Sequence, residues 1–207
     1  MNDVVARILE LARGGQRHLI AIAGPPATGK STYAAKLAEA LTEAGRVAVE
    51  VPMDGFHLDN AILDARGIRA RKGTPESFDL AGFTRLAQTL GNREELIFPL
   101  FDRERDLAIA GAGVISQDCD LAILEGNYLL FDQPGWDALP AYWSLSIWLE
   151  TARETLAARL KDRWVELGLN PEELRQKLEL NDLPNADLVL DHQLPADITV
   201  SSEAHSL

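Results

Sequence analysis

The stretch Gly24-Pro-Pro-Ala-Thr-Gly-Lys-Ser31 decides the fold of this 207-residue chain. The apolar run at residues 19–23 stands shortly before it and predicts a buried strand. After it, apolar residues recur at i, i+3, i+4 and i+7, which is the spacing of one helix face. These residues are Ala34, Leu37, Ala38 and Leu41. Gly45 is typical of a helix end, so the sequence predicts a strand, a glycine-bounded loop and a helix in succession.

The pattern G-x-x-x-x-G-K-S/T between a strand and a helix is typical of a loop that binds the phosphates of a nucleoside triphosphate. Glycines let backbone N–H groups approach the phosphates, and the helix N-terminus adds partial positive charge. Lys30 is predicted to bridge the β- and γ-phosphates, and the Ser31 hydroxyl to hold Mg²⁺. The predicted nucleotide-binding residues are Gly24, Ala27, Thr28, Gly29, Lys30, Ser31 and Thr32. The alternative for the same residues is an ordinary glycine- and proline-rich turn.

Strand-like runs alternate with helical patterns along the chain, which predicts an α/β fold with a mainly parallel sheet between two helical layers. The predicted strands are residues 19–23, 47–51, 96–100, 121–124, 145–149, 188–190 and 198–200. We expect one domain over residues 1–207, with a small helical lid at about 151–180. Ligands of such sheets bind beyond the carboxyl ends of the strands, so the residues that follow each strand matter most.

Composition and charge narrow the class of protein. Hydrophobic residues make up 46% of the chain and charged residues 25%, as in ordinary globular proteins. The net charge of −12 and the absence of a long Lys/Arg run argue against nucleic acid as a partner. No apolar stretch has the length of a membrane span, and the first residues predict an amphipathic helix rather than a signal peptide. We expect a cytoplasmic protein without a disulfide, since Cys119 is its single cysteine.

Two carboxylates follow predicted strands. Asp54 comes after the second strand, where it could accept the proton of an attacking hydroxyl or hold Mg²⁺ through water. Glu125 ends the strand at residues 121–124, and an acid there is the usual partner of a phosphate loop at Mg²⁺. The alternative for Asp54 is an aspartate that stabilises a tight turn beside Gly55.

Three residues are candidate contacts to an acceptor molecule. Asp102 could accept hydrogen bonds from the hydroxyls of a polyol or sugar, and Arg103 could pair with an anionic group. The alternative for both is a solvated cluster of charges. His57 could touch the acceptor, but a histidine beside Phe56 is also typical of a packed side chain.

Arg159 and Arg163 stand four residues apart on a predicted helix that begins near Thr151, with Thr151 and Glu154 at capping-box spacing. Two guanidinium groups on one face could close on a transferring phosphoryl group, whose charge is spread over three oxygens. The alternative is a solvated helix whose arginines form salt bridges with neighbouring acids.

Four strings together carry a resemblance that spans most of the chain. They are the loop at 24–31, Met53-Asp-Gly-Phe-His57, Arg71-Lys-Gly-Thr-Pro-Glu-Ser-Phe-Asp79 and Leu124-Glu-Gly-Asn-Tyr-Leu-Leu130. The chain resembles the uridine kinase, phosphoribulokinase and bacterial pantothenate kinase branch of P-loop kinases. The last string, with Asn181-Asp-Leu-Pro-Asn185, is similar to a bacterial subgroup named for fructose-transport-system kinases.

The resemblance implies ATP and Mg²⁺ as cofactors, Asp54 as catalytic base, Glu125 as the Walker-B-type acid and arginines on a lid helix. Pantothenate kinases carry a histidine where Arg103 stands here. Uridine kinases carry an aspartate that matches Asp102 and contacts ribose, but their base-binding residues have no clear match. A sugar-like acceptor without a base fits both departures.

The predicted function is an ATP-dependent kinase that phosphorylates a hydroxyl of a small metabolite, with a fructose-type sugar favoured. The alternatives are a pantothenate kinase, a uridine-type nucleoside kinase, a P-loop ATPase regulator without a small acceptor, and a phospho-ligand sensor. The chain has no Asn-Lys-x-Asp string of the kind that reads guanine, which disfavours a GTPase. The sequence leaves a monomer and a homodimer as alternatives.

Overall fold

The computed structural model of the chain describes residues 1–12 and 15–202. The strands in this part of the chain are β1 (His18–Ala23), β2 (Ala48–Pro52), β3 (Leu96–Asp102), β4 (Leu107–Ile115), β5 (Leu121–Gly126), β6 (Leu145–Glu150) and β7 (Ile198–Ser201). The α-helices are α1 (Asn2–Leu11), α2 (Lys30–Glu43), α3 (Asn60–Ala65), α4 (Leu80–Leu90), α5 (Arg153–Glu166), α6 (Pro171–Lys177) and α7 (Leu183–Asp191). None of the helices described is long and apolar enough to cross a membrane.

Five strands form the main sheet in the order β2-β5-β1-β6-β7, and all neighbours in it run parallel. The register places Glu125 opposite both Ile22 of β1 and Pro52 of β2. Three strands therefore end at the same level, and the loops that follow them meet at one edge of the sheet.

The central strand β1 is buried along its whole length because helices cover both faces of the sheet. Successive side chains of a strand point to opposite faces, so Leu19 and Ala21 enter one hydrophobic core while Ile20 and Ile22 enter the other. Helices α1 and α2 cover the second face, and α4 and α7 contribute to the first. The predicted three-layer α/β architecture is thus confirmed.

The predicted strand at residues 96–100 exists but lies outside the parallel sheet. It forms β3, which pairs antiparallel with β4 as a separate two-stranded sheet. The buried Arg17 helps to hold the base of this hairpin, since its guanidinium donates to the carbonyl oxygens of Glu94 and Ser116 at 3.1 and 2.7 Å. The strand β4 was not predicted, because alanine and glycine at residues 110–113 interrupt its β-branched residues.

Residues 188–190 form part of helix α7, so the strand predicted there is wrong. This short apolar run packs on the first core, and such runs do not distinguish a buried helix from a strand by periodicity. The strand predicted at 198–200 is confirmed as the edge strand β7.

Helix caps explain where several helices begin. The Asp79 carboxylate accepts from the Gly82 N–H at 2.8 Å and starts α4. Asn170 forms a complete capping box with Glu173 at the start of α6. The capping box predicted from Thr151 and Glu154 is wrong, because α5 begins after Ala152 and the Thr151 hydroxyl instead lies 2.5 Å from that of Ser202.

Candidate active site

The loop between β1 and α2 has the backbone form that its glycines predicted. Gly29 adopts a φ of 90° directly before α2, in the left-handed region that favours glycine. Ala27 has a φ of 65°, which is uncommon for a residue with a Cβ and indicates a constrained turn. The first residues of α2 line a cleft beside the loop, and the free N–H groups at this helix start can bind an anion there.

Lys30 is buried at this helix start. Its Nζ donates to the Pro25 carbonyl oxygen at 2.8 Å and lies 3.4 Å from the Thr28 hydroxyl, so the side chain folds back over the loop. Burial lowers the pKa of Lys30 to about 8, and the nearby carboxylates of Glu125 and Asp54 oppose this shift. Protein carboxylates therefore compensate the positive charge of Lys30 only in part, and a polyanionic ligand could compensate the rest.

Ser31 and Glu125 meet across the strand ends. The Ser31 hydroxyl donates to Oε1 of Glu125 at 3.0 Å. The parallel pairing of β1 and β5 brings their carboxyl ends to the same edge of the sheet, where α2 begins after the loop. Burial raises the pKa of Glu125, while Lys30 acts in the opposite direction. A hydroxyl beside a carboxylate next to a phosphate loop fits Mg²⁺, which takes one or two protein oxygens and completes its shell with phosphates and water.

Asp54 lies opposite the loop, in the short helical turn Met53–Phe56 after β2. Arg103, from the turn between β3 and β4, donates to Oδ2 of Asp54 at 2.9 Å. A Cβ at Gly55 would lie 2.1 Å from the Pro99 carbonyl oxygen, so only glycine lets this turn approach β3 so closely. Asp54, Arg103, Glu125 and the loop together line a cleft of about 350 Å³.

A second cavity of about 360 Å³ adjoins this cleft and shares Asp54, Arg103 and Arg163 with it. We call it the acceptor cavity, after the acceptor molecule that the sequence predicts. His57 lies in its wall, with its ring centroid 4.0 Å from that of Phe78 and 4.7 Å from that of Phe101. Its Nδ1 lies 2.8 Å from the Asp54 carbonyl oxygen, and burial lowers the pKa of the imidazole. The ring is therefore firmly packed where an acceptor could touch it.

The two arginines of α5 face different parts of the site, which corrects the prediction that both close on one group. Arg163 lines the cleft and the acceptor cavity. Arg159 instead lies 3.4 Å from the carbonyl oxygens of Ala27 and Thr28 and lines a third cavity of about 220 Å³ on the other side of the loop. Residues four apart on a helix lie about one turn apart along its axis. Here the phosphate loop separates the cavities that the two guanidinium groups line.

Asp102 does not join the residues around these cavities. Its Oδ1 accepts from the backbone N–H groups of Glu104 and Arg105, both at 3.0 Å, and it pairs with the Arg105 side chain at 3.6 Å. This carboxylate stabilises the turn between β3 and β4. That turn holds Arg103 beside Asp54, so Asp102 positions a site residue without lining the site.

Sequence reasoning gave no role to several residues of the acceptor cavity. Lys72, Trp164, Lys177, Asn181 and Asn185 line it from three separate stretches. The Asn181 Nδ2 donates to the Lys72 carbonyl oxygen at 3.2 Å, and the Asn185 Nδ2 donates to that of Gly73 at 3.1 Å. These bonds join the segment before and within α7 to the chain around residue 72. The only signal was that both stretches lay within strings that carried the family resemblance.

Comparison with known proteins gives the same kinase family that the four sequence strings resemble. The structure of a protein named "putative fructose transport system kinase" from Silicibacter sp. TM1040 superposes with a TM-score of 0.92 at 48% identity, covering 96% of this chain and 97% of that one. The "Putative uridine kinase C227.14" of Schizosaccharomyces pombe is 30% identical over 210 residues, or 96% of this chain and 89% of that protein.

A pantothenate kinase of Streptomyces avermitilis is 32% identical over 163 residues, which is 74% of this chain and 48% of that protein. No family model matches the chain. Members of the P-loop kinase class use ATP, typically with Mg²⁺. The relatives and the architecture agree, and the chain belongs to the uridine kinase, pantothenate kinase and phosphoribulokinase branch of P-loop kinases.

Proposed function

We propose that this protein transfers the γ-phosphoryl group of ATP to a hydroxyl of a small metabolite, and that the metabolite is a sugar or sugar-like polyol of the fructose type. One observation carries the proposal. Asp54 stands between two adjoining cavities of similar volume, one lined by the phosphate loop and the other lined mainly by polar and aromatic side chains. A carboxylate at the junction of a nucleotide cleft and a second cavity is where a phosphoryl-accepting hydroxyl needs its base.

The nucleotide side acts by binding and orientation. The N–H groups of the loop and of the first turn of α2 would hold the triphosphate, with the Lys30 ammonium on its β- and γ-phosphates. Ser31 and Glu125 would hold Mg²⁺, which supplies charge neutralisation at the phosphate oxygens when bound. The γ-phosphoryl group is then presented toward Asp54.

Asp54 would accept the proton of the acceptor hydroxyl. The acceptor oxygen bonds to the γ-phosphorus, the bond from that phosphorus to the β,γ-bridging oxygen breaks, and ADP leaves with the electron pair. Because the transition state of such transfers is loose, positioning by Asp54 contributes more than its basicity. Arg103 must release Asp54 for this step, and Arg163, which lines both cavities, would balance the charge on the transferring oxygens.

The segment at about 151–180 carries Arg163 and Trp164 over the acceptor cavity. We propose that it closes as a lid when both substrates are bound and excludes water from the transferred group. Its α6 has no buried residue, which leaves the segment lightly packed and suited to such a movement.

The test is a screen of sugars, sugar derivatives, uridine and pantothenate for acceptor-dependent release of ADP from ATP and Mg²⁺. A sugar-type acceptor should stimulate release, and Lys30→Ala, prepared in the same way, should abolish the signal and so exclude a contaminating kinase. Stimulation by uridine or pantothenate alone would replace the sugar assignment. Equal ATP turnover with and without every acceptor would indicate an ATPase regulator, and nucleotide binding without turnover would indicate a sensor.

A further inference from the structure

The acceptor cavity is cationic although the protein is strongly acidic. The chain carries a net charge of −12, yet five basic side chains and three carboxylates line this cavity. The basic residues are Arg69, Lys72, Arg103, Arg163 and Lys177, and the carboxylates are Asp54, Asp106 and Asp182. A local excess of positive charge against the overall balance indicates an anionic ligand.

Three of the basic groups already have carboxylate partners. Arg103 pairs with Asp54 at 2.9 Å, and Arg69 pairs with Asp64, outside the cavity, at 2.9 Å. Lys72 uses its ammonium on the Asn60 amide oxygen and on the carboxylate and carbonyl oxygen of Asp106. These three contribute to the walls of the cavity, but their charges are compensated.

Arg163 and Lys177 differ, because neither forms an ion pair with the residues that the structure describes. Both lie against the indole of Trp164, with the Arg163 guanidinium carbon 5.5 Å and the Lys177 Nζ 5.1 Å from its ring centroid. The nearby Asp182 accepts hydrogen bonds from two neutral donors, the Trp164 Nε1 at 2.5 Å and the Asn181 Nδ2 at 3.1 Å. Its negative charge opposes the lowering of the Arg163 pKa by burial, but the two side chains form no direct ion pair. Arg163 and Lys177 therefore lie at this wall without an ion-pair partner in the part of the chain that the structure describes.

Arg163 and Lys177 differ in the cavities that they line. Arg163 lines both the nucleotide cleft and the acceptor cavity, whereas Lys177 lines the acceptor cavity alone. Arg163 can therefore serve the transferring phosphoryl group, but Lys177 faces only the space in which an acceptor would lie. The half-buried Lys177 stem and the indole beside it restrict where the ammonium can lie.

We propose that the acceptor is an anionic polyol, a sugar acid or a sugar phosphate, and that Lys177 binds its carboxylate or phosphate while a hydroxyl of the same molecule lies at Asp54. This proposal rests on the kinase function proposed above and narrows its acceptor class. A charge-assisted hydrogen bond to an otherwise unpaired ammonium would select such molecules over neutral sugars of the same shape.

The test uses matched pairs of acceptors that differ in charge: fructose with fructose 1-phosphate and fructose 6-phosphate, glucitol with gluconate, and glycerol with glycerate. ADP release is measured for kcat and KM, and calorimetry measures binding of the same compounds to the protein loaded with ADP and Mg²⁺. In at least one pair, kcat/KM and affinity should be about 10- to 100-fold higher for the anionic member. Whether the phosphate or the carboxylate series shows this preference identifies the anion.

Lys177→Gln should remove this preference by raising KM for the anionic acceptor, with the KM for ATP unchanged. Lys161→Gln is the matched control, because Lys161 is an exposed lysine of α5 that lines neither cavity. Turnover that favours the neutral members, or an anionic preference that survives in Lys177→Gln, overturns the proposal.

Failure of the kinase function itself gives a different result. No acceptor would then stimulate ADP release. The binding measurement still decides the anion site in that case, since preferential binding of the anionic members that Lys177→Gln abolishes supports it, and equal or absent binding of all members overturns it.

Discussion

The phosphate loop and the acceptor cavity are neighbours that are built in opposite ways. The contacts that shape the loop join residues that are close in the sequence, since Lys30 donates to Pro25 and Thr28, five and two residues away. The acceptor cavity depends on contacts between distant stretches, such as Asn181 with Lys72 across 109 residues and Asn185 with Gly73 across 112. One region is a local motif, and the other exists only after the chain has folded.

This difference teaches which part of the chemistry the family shares. A nucleotide site made from one continuous strand, loop and helix can be kept intact while the distant stretches around it change. The acceptor cavity combines residues from the segment between β2 and α4, from the β3–β4 turn and from the segment around α5 to α7. We therefore expect variants of the loop to affect all acceptors alike, and variants of the cavity to act on one substrate or one step.

The largest expected effect lies on the loop side. Lys30→Ala should lower kcat/KM for ATP by about 10⁴-fold, because it removes a buried cation from the phosphates in both the ground state and the transition state. Steady-state ADP release and a nucleotide-binding titration measure this. Lys161→Ala, which removes an exposed lysine, should behave as wild type. A Lys30→Ala protein with normal turnover would contradict the assignment of the loop.

Arg163 tests the boundary between the two regions. Arg163→Gln should lower kcat by about 10³-fold and leave the KM for ATP within a few-fold, because the guanidinium acts on charge that develops during transfer. Single-turnover kinetics with saturating ATP and acceptor separate this effect from binding. An unchanged kcat would show that the Arg163 guanidinium group does not act on the transferring phosphoryl group.

Asp54 belongs to the acceptor side, although it faces the loop. Asp54→Asn should lower kcat by about 10²-fold or more with little change in ATP affinity, since the amide keeps the shape but cannot take the proton. The exposed Asp118→Asn is the matched control for loss of one negative charge. Wild-type turnover of Asp54→Asn would remove this residue from the mechanism.

The pKa of Lys30 predicts a pH dependence that belongs to the loop alone. Burial lowers this pKa from 10.5 to about 8, so the ammonium is present below pH 8 and is lost above it. Above pH 8, kcat/KM for ATP should fall about tenfold per pH unit, while kcat stays level because bound phosphates raise the pKa again. Lys30→Arg keeps its charge at every such pH, and its profile should lack this fall. A fall that persists in Lys30→Arg would assign the titration to another group.

The smallest expected effect concerns Arg159, which the structure separates from Arg163. Arg159→Gln should raise the KM for ATP by about three- to tenfold and leave kcat and the acceptor KM unchanged, because it removes only long hydrogen bonds to the loop, beside the third cavity. Initial rates over a matrix of ATP and acceptor concentrations measure this. A loss of kcat as large as that of Arg163→Gln would restore a shared role for the two arginines.

Local sequence was sufficient for the elements that make the nucleotide side. The glycine spacing, the buried strand before it and the apolar face of α2 predicted the strand, loop and helix. The predicted role of Ser31 and Glu125 at Mg²⁺ stays a prediction, and the structure adds that the two side chains are in contact. The strand, loop and helix follow from backbone conformation and side-chain periodicity, which neighbouring residues determine. The same logic failed at residues 188–190, where an apolar run carries no information about its partner.

The chain by itself therefore determined a nucleotide-binding strand, loop and helix within a parallel α/β sheet, and a set of acids at the strand ends. Only the tertiary structure decided that β3 leaves the sheet, that Asp102 stabilises a turn while Arg103 reaches Asp54, and that Arg159 and Arg163 face different cavities. The physical reason is that a side chain's charge partners are set by which distant backbone segments pack beside it. Lys177 became the candidate contact for an anionic acceptor because folding places it at the Trp164 indole without an ion pair among the described residues.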